Sequence, residues 1–216
     1  KSEAEIFIFM SSVKAVADTV DGILTENYLP IPKTDYGKSK FYAERYILKK
    51  EIPREKRVII LRPCMIHGPG NKGNLNLLYK VISKKIPWVL GSFKNKRSYC
   101  SIDNLLFIIN EIIVNKSVKS GVYNISDNLA LSTNDVISLI AKSQNIKPRI
   151  YNISKKIIKL VARLGDITPL PLNSERLKKL TESYIVSNAK ILKSINKPLP
   201  VNSRDGLIKT FLSFEK

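Results

Sequence analysis

The sequence has few residues of the kinds that form covalent cross-links or metal centres. Its 216 residues include two cysteines, Cys64 and Cys100, and one histidine, His67. Two cysteines so far apart give neither a disulfide framework nor the spacing of a zinc site, and a single histidine cannot anchor a metal. We therefore expect no bound metal and, since disulfides mark oxidising compartments, a reducing cytoplasmic location.

Long hydrophobic runs are also missing. No stretch approaches the ~20 consecutive apolar residues that cross a bilayer. The first ten residues have too short an apolar segment for a signal peptide, so we expect neither a membrane span nor an export signal. The apolar fraction of 44% is still ample for a core, and the length fits one large domain or one and a half small ones.

Acidic residues are scarce: 37 Lys and Arg face 18 Asp and Glu, a net charge of +19. A basic chain attracts anions, so nucleic acid or another polyanion is a candidate partner. The lysines are dispersed in pairs such as Lys49-Lys50 and Lys155-Lys156, without the aromatic strands or the basic helix of nucleic-acid-binding folds. We favour solvated lysines, do not expect nucleic acid as a partner, and keep a polyanion-binding surface as the alternative.

The segment Tyr36-Gly37-Lys38-Ser39-Lys40 offers a proton-transfer pair. The residues that follow have an apolar repeat at helical spacing, so Tyr36 and Lys40 are expected one turn apart on one helix face, with Thr34 or Asp35 as the cap. A nearby ammonium favours the phenolate, lowers the tyrosine pKa and suits acid–base catalysis near neutral pH. The alternative is an ordinary solvated first turn.

A predicted strand precedes this helix. Ile6–Met10 is a continuous apolar run, typical of a strand buried on both faces of a parallel sheet. Ser11 and Ser12 follow it, at the sheet edge where open α/β folds bind ligands. A loop over 18–33 allows the Ser12 hydroxyl and the Tyr36 hydroxyl to meet on one substrate oxygen.

Further elements follow in order. Strands are predicted over 57–62, stopped by Pro63, and over 121–125. Helices are predicted over 75–83, 105–114 and 136–142, with Asp103 capping the second. Gly68-Pro69-Gly70-Asn71-Lys72-Gly73 formally matches G-x-G-x-x-G, but it lacks the acidic residue about 20 positions later, so it is rejected as a dinucleotide fingerprint.

Ser11-Ser12, Tyr36-x-x-x-Lys40 and the run from Leu61 to Gly70 together resemble the extended short-chain dehydrogenase/reductase family, in particular its nucleotide-sugar epimerase/dehydratase branch. The resemblance implies an α/β fold: a Rossmann-like parallel sheet, the C-terminal part of the doubly wound fold, with a small mixed α/β substrate-binding domain. Residues 1–70 would be the second half of the NAD(P)-binding domain. Residues 71–216 would mainly bind the nucleotide sugar, with some segments returning to the sheet. The resemblance further implies helices over 155–164, 174–180, 187–194 and 205–214.

The resemblance also implies roles. Ser12, Tyr36 and Lys40 would be catalytic, while Ser11, Tyr36, Lys40 and Pro63 would contact NAD or NADP. Ser12, Asn74 and Arg97 would hold the substrate, the last two at its diphosphate. The alternatives are a helix cap for Asn74, a surface charge for Arg97 and a strand terminator for Pro63; Trp88 is expected in the core rather than against a base.

The implied function is NAD(P)-dependent 4-epimerisation or 4-keto reduction of a UDP-hexose or UDP-N-acetylhexosamine, in surface polysaccharide synthesis. A 4,6-dehydratase is disfavoured because Val13 and Lys14 replace the acidic pair expected after the catalytic hydroxyl. A homodimer through the catalytic helix and its neighbour is also implied. The alternatives are a non-catalytic relic that binds nucleic acid or another polyanion, and an inactive truncated fragment.

The glycine-rich strand–turn–helix with which this family begins has no counterpart in the sequence. That segment cradles the dinucleotide pyrophosphate, and by family analogy roughly 100 residues would precede Lys1. We therefore expect the isolated chain to expose an unpaired strand edge, to bind NAD(P) weakly and not to turn over.

Overall fold

The computed structural model describes residues 3–170 and 172–214. Its elements in chain order are strand β1 (Ile6–Met10), a 3₁₀ turn (Val13–Ala15), β2 (Ile23–Leu24), helix α1 (Asp35–Leu48), β3 (Arg57–Pro63), β4 (Met65–His67), α2 (Asn74–Ser83), β5 (Tyr99–Ser101), α3 (Ile102–Val114), β6 (Gly121–Ile125), α4 (Thr133–Ser143), α5 (Lys155–Leu164), α6 (Ser174–Thr181), β7 (Ile185–Val186), α7 (Ala189–Ile195) and α8 (Ser203–Leu212).

The chain divides into two units. The first contains the described residues up to His67 together with Ser98–Ala130 and Tyr184–Ser203, and the second contains the remaining described residues. The predicted assignment of cofactor binding to residues 1–70 and of sugar-nucleotide binding mainly to 71–216 stays a prediction.

The main sheet of the first unit is parallel, in the order β1-β3-β6. Ile8 lies opposite Ile59, and Leu61 lies opposite Tyr123. The three predicted strands are confirmed, with β3 one residue longer because Pro63 still pairs with Ile125. Since parallel strands need crossover connections, the intervening helices follow from the same pattern.

The core of the first unit lies between this sheet and α3. Ile59, Leu61 and Ile125 of the sheet are fully buried, as are Ile108 and Ile112 of α3. Each such aliphatic side chain stabilises the fold by about 1.5–3 kcal/mol on burial. This packing holds the carboxyl ends of β1 and β3 in place.

Strand β1 lies at the edge of the described sheet. The expectation that it is buried on both faces is wrong here: Phe7 is 51% exposed. Among the described strands β1 has β3 as its single neighbour, so its outer side lacks the cover that the apolar sequence predicts. The expected unpaired apolar edge is therefore present in the described structure.

Two short parallel strand pairs and two helix starts differ from the sequence predictions. The loop predicted over 18–33 contains β2, which pairs in parallel with β7, and β4 pairs in parallel with β5. The residue before α2 is Gly73, and Asn74 is already helical, so Asn74 is not the cap. The cap of α3 is Ser101, whose Oγ accepts from the Asp103 backbone N at 3.3 Å, and not Asp103.

The second unit contains α2, α4, α5, α6 and most of α8. Trp88 is buried there, as expected, and its Nε1 donates to Asn134 Oδ1 at 2.9 Å. Helix α4 begins with a capping box formed by Ser132 and Asp135. Within the described ranges, every helix is too short or too polar to cross a bilayer.

Candidate functional site

Helix α1 holds Tyr36 and Lys40 together at the end of β1. Lys40 Nζ lies 6.0 Å from the centroid of the Tyr36 ring. The same ammonium donates to the backbone oxygen of Met10, the last residue of β1, at 3.0 Å. That oxygen takes one of the three N–H donors of the lysine. The Tyr-x-x-x-Lys pair is thus placed at the strand end that the sequence indicates, next to Ser11.

The two serines after β1 have different partners. Ser11 Oγ donates to Glu44 Oε1, so its proton is engaged inside the fold. Ser12 is buried, and its Oγ accepts from Lys14 N at 3.2 Å, which caps the 3₁₀ turn. A hydroxyl that accepts a bond still has its own proton to donate. This difference supports Ser12 over Ser11 as the donor to a substrate oxygen.

A buried ion pair lies behind the site and was not predicted from the sequence. Arg62 Nε donates to the two carboxylate oxygens of Glu44 at 2.9 and 3.1 Å, and both side chains are almost wholly buried. Glu44 belongs to α1, and its carboxylate contacts Ser11, which follows β1, and Arg62 near the end of β3. One side chain therefore connects α1 to both strand ends. Glu44 is four residues after Lys40 on the same helix face, a spacing that indicates the face of α1 but not its partner Arg62.

Gly37 lets α1 approach the turn that follows Ser12. A Cβ built on Gly37 would lie 2.5 Å from the backbone oxygen of Lys14, and 3.1 Å from Pro32 Cβ and Thr34 Oγ1. Real Cβ atoms do not come that close to a backbone atom, so a larger residue would push the start of α1 away from the 3₁₀ turn. The absence of a side chain at Gly37 therefore allows the start of α1 to pack closely against the 3₁₀ turn.

Asp18 organises the chain that enters α1. Its carboxylate accepts from Lys33 N at 2.7 Å, Thr34 N at 3.1 Å and Thr34 Oγ1 at 3.0 Å. Thr34 Oγ1 in turn accepts from Gly37 N and caps the helix, as one of the two predicted caps. Desolvation opposes the ionised form of Asp18, but these hydrogen bonds and the Lys14 charge together lower its pKa.

The other predicted site residues are placed as follows. Pro63 is the buried last residue of β3 in the first unit. Asn74 begins α2 and is exposed, in the second unit. Arg97, also in the second unit, donates from Nε to the Glu182 backbone oxygen at 3.0 Å, and its Nη2 lies 3.9 Å from Glu182 Oε2. The guanidinium is therefore mostly enclosed rather than a plain surface charge.

A second buried polar cluster surrounds His67. Its Nε2 lies 3.4 Å from Asp127 Oδ2, and both side chains are fully buried. Asp127 Oδ1 accepts from Ser101 N at 2.9 Å and from Asn104 Nδ2 at 2.7 Å. Burial, and then the Asp127 charge, raises the pKa of Cys100, which holds this thiol in its protonated, inert form. We assign a structural role, rather than a catalytic one, to this buried cluster.

The fold and the site define a class: a parallel α/β protein with two serines, a tyrosine and a lysine near one strand end. The model of the family described as "Epimerase: NAD dependent epimerase/dehydratase family" matches residues 1–126. The chain belongs to this family, and the resemblance predicted from the sequence is confirmed.

Two curated relatives have related names. The chain is 35% identical over 140 residues to UDP-glucose 4-epimerase of Vibrio cholerae, covering 62% of this chain and 42% of the relative. It is 31% identical over 149 residues to N-acetyl-alpha-D-glucosaminyl-diphospho-ditrans,octacis-undecaprenol 4-epimerase of Escherichia coli O157:H7, covering 68% and 45%. The matched regions thus span less than half the length of these relatives.

Solved structures show the same fold. UDP-glucuronic acid 4-epimerase from Bacillus cereus, in complex with NAD, superposes with a TM-score of 0.72 at 19% identity, covering 98% of this chain and 62% of that one. UDP-glucose 4-epimerase from Thermotoga maritima, with UDP-glucose, superposes with a TM-score of 0.69 at 17% identity, covering 99% and 64%. The predicted Rossmann-like α/β class is confirmed.

Proposed function

We propose that this chain carries the catalytic residues of an NAD(P)-dependent nucleotide-sugar 4-epimerase or 4-keto reductase. The observation that carries the proposal is the position of Lys40, whose ammonium lies beside Tyr36 and is bonded to the strand end that leads into Ser11 and Ser12. Family membership and the names of the two curated relatives support the same class of reaction.

Tyr36 acts as the acid–base residue at the C4 oxygen of the sugar. As a phenolate it accepts the hydroxyl proton when C4 is oxidised, and as a phenol it returns a proton to the 4-keto oxygen. The Lys40 ammonium favours the phenolate by its charge. Ser12 donates its hydroxyl proton in a hydrogen bond to the same oxygen and orients it.

The residues around Lys40 fit a dinucleotide at this strand end. With one donor on the Met10 oxygen, Lys40 has further N–H groups that suit a cofactor ribose, and Ser11 and Pro63 flank the ends of β1 and β3. NAD or NADP, when bound, supplies the hydride acceptor and donor for C4. We assign its nicotinamide side to Ser11, Tyr36, Lys40 and Pro63.

The substrate we propose is a UDP-hexose or UDP-N-acetylhexosamine used for surface polysaccharides. Asn74 and Arg97 are assigned to its diphosphate, since an amide and a planar guanidinium are suited to phosphate oxygens. For Arg97 this requires that phosphate compete with the Glu182 contacts. A cytoplasmic site of action fits a UDP-sugar and two unpaired thiols.

We also propose that the enzyme is a homodimer through α1 and its neighbour. Helix α1 leaves Tyr42 and Tyr46 exposed one turn apart on one face, and Leu48 exposed near its end. This is an unusual density of large apolar groups for a solvated helix. Burial of these side chains against a second copy would remove them from water.

The function is tested in this chain fused behind a glycine-rich dinucleotide-binding half. With NAD present, the fusion should interconvert UDP-glucose with UDP-galactose, or the corresponding N-acetyl sugars, as followed by NMR of the anomeric protons. Tyr36→Phe should lower kcat by about 10²- to 10⁴-fold, the usual contribution of a positioned acid–base group.

The matched control is Tyr151→Phe, which removes a hydroxyl from an equally exposed tyrosine outside α1 and outside the proposed site. It should leave kcat unchanged. If Tyr36→Phe retains wild-type turnover, the assignment of Tyr36 is wrong. If the fusion binds NAD but releases a 4,6-dehydrated sugar, the reaction is assigned to the wrong branch of the family.

A further inference from the structure

Helix α5 carries a second apolar stripe that the fold does not use. Ile158 and Ala162 are buried beneath the helix in the second unit. On another side, apolar residues recur at intervals of three and four, the spacing of one helix face. This stripe consists of Ile157 (55% exposed), Leu160 (60%), Val161 (38%) and Leu164 (48%). Ile167, one turn further, is 82% exposed.

The third side of α5 is basic. Lys155, Lys156, Lys159 and Arg163 lie on it, and its ten residues contain no acidic side chain. Lys159 and Arg163 also line, with Lys178 of α6, a groove of about 390 Å³. The interpretation that the lysines are dispersed without a basic helix is therefore wrong for this element, because helical geometry collects residues that look scattered in the sequence.

The charge of the chain is concentrated in the same unit. Twenty of the 37 Lys and Arg, but six of the 18 Asp and Glu, fall in segments 68–97, 131–183 and 204–216. These segments carry +14 of the net +19. A helix with a large moment, a basic side and an exposed aliphatic side is the kind that lies in the plane of a membrane interface.

We propose that α5 docks the second unit on an anionic phospholipid surface. Ile157, Leu160 and Leu164 enter the boundary of headgroups and acyl chains, and Lys156, Lys159 and Arg163 contact the phosphates. A polyanion such as RNA would satisfy the cations but would leave the aliphatic stripe in water. A second copy of this chain would bring a like positive charge to the interface. An anionic bilayer offers acyl chains to the aliphatic side of α5 and phosphates to its basic side.

Such docking would hold the protein at a membrane without any span. It is independent of the reaction proposed above, since α5 contains none of the residues assigned to that reaction. The affinity should fall as salt is raised, because the exposed cations are screened.

The test is flotation of the 216-residue chain with vesicles of two compositions. Wild type should float with an equal mixture of phosphatidylglycerol and phosphatidylcholine, and should remain unbound with phosphatidylcholine alone. Leu160→Ser/Leu164→Ser and, separately, Lys156→Glu/Lys159→Glu should each weaken partitioning by about tenfold or more.

Matched controls lie elsewhere in the second unit. Leu77→Ser removes an equally exposed leucine of α2, and Lys84→Glu/Lys142→Glu makes the same charge change outside α5. Both should float like wild type, and circular dichroism should show all variants folded. The proposal is overturned if wild type does not bind the anionic vesicles, or if the controls lose as much binding as the α5 variants. It is equally overturned if the stripe variants change the oligomeric state alone, or if the charge variants lose RNA and not vesicles.

Discussion

At the residue scale, the geometry of the site depends on residues that determine packing as well as on the residues with reactive groups. Tyr36 and Lys40 supply a phenol and an ammonium, but Gly37 between them sets how closely α1 meets the turn after Ser12. Glu44 and Arg62 supply no group to a substrate, yet they connect the two strand ends to α1. Such neighbours decide whether the reactive groups are held in a productive geometry.

Replacement of Gly37 by alanine should destabilise the protein, although alanine is the better helix former by about 1 kcal/mol. The new Cβ would press on the Lys14 backbone oxygen at 2.5 Å, a contact that a backbone atom cannot relieve cheaply. Overpacking of this kind costs about 1–3 kcal/mol. Thermal unfolding measures it, with Ser39→Ala on the exposed side of the same turn as the control. A Gly37→Ala protein as stable as wild type would contradict the close approach.

Replacement of Glu44 by glutamine should be severe because it leaves the Arg62 guanidinium buried without its counter-charge. Breaking one side of a buried pair costs about 3–5 kcal/mol, whereas an apolar pair of similar size can be nearly neutral. Urea unfolding should therefore show a large loss for Glu44→Gln and partial recovery in Glu44→Leu/Arg62→Met. The exposed Glu51→Gln is the control. Loss below about 1 kcal/mol for Glu44→Gln would show that the pair contributes little.

At the scale of elements, the start of α1 is built by the loop before it. Asp18 binds the backbone of Lys33 and Thr34, and Thr34 caps the helix that presents Tyr36. The sequence indicated a loop and two candidate caps, because Gly and Pro punctuate this segment. It did not indicate Asp18, since a contact across 15 residues leaves no local pattern.

Asp18 should make part of the stability depend on pH. Its folded pKa lies below the ordinary value of 3.8, so its contribution is complete above that value and is lost as pH falls through the lower folded value. Asp18→Asn should lower the thermal midpoint at pH 7, and the gap from wild type should narrow below about pH 4. The exposed neighbour Asp21→Asn is the control. A gap that stays constant down to pH 2 would contradict the role of the ionised carboxylate.

At the scale of the whole molecule, this chain spans part of what its relatives contain. Its matches cover 42% and 45% of the two curated relatives, and β1 is an edge strand in the described sheet. The residues that we assign to the cofactor would contact the nicotinamide end of the dinucleotide. The 216 residues contain no glycine-rich turn of the kind that binds its pyrophosphate.

The isolated 216-residue chain should therefore bind NAD and NADP weakly. Calorimetric titration of either dinucleotide should give no saturable heat at micromolar concentrations, while the fusion with a dinucleotide-binding half should saturate. The missing pyrophosphate contacts are the physical reason, because a helix amino terminus and glycine amides supply most of the phosphate recognition. Tight binding by the isolated chain would overturn this expectation.

The sequence by itself determined the three parallel strands and helix α1, and it carried the resemblance to the family that was then confirmed. Apolar runs of strand length and the four-residue spacing of Tyr36 and Lys40 are local signals, and local geometry follows from them. Only the tertiary structure decided the partners of Glu44, the enclosure of Arg97 by Glu182 and the caps of α2 and α3. It also decided that one apolar side of α5 faces solvent. The physical reason is that burial and pairing depend on distant segments, whose approach no local pattern encodes.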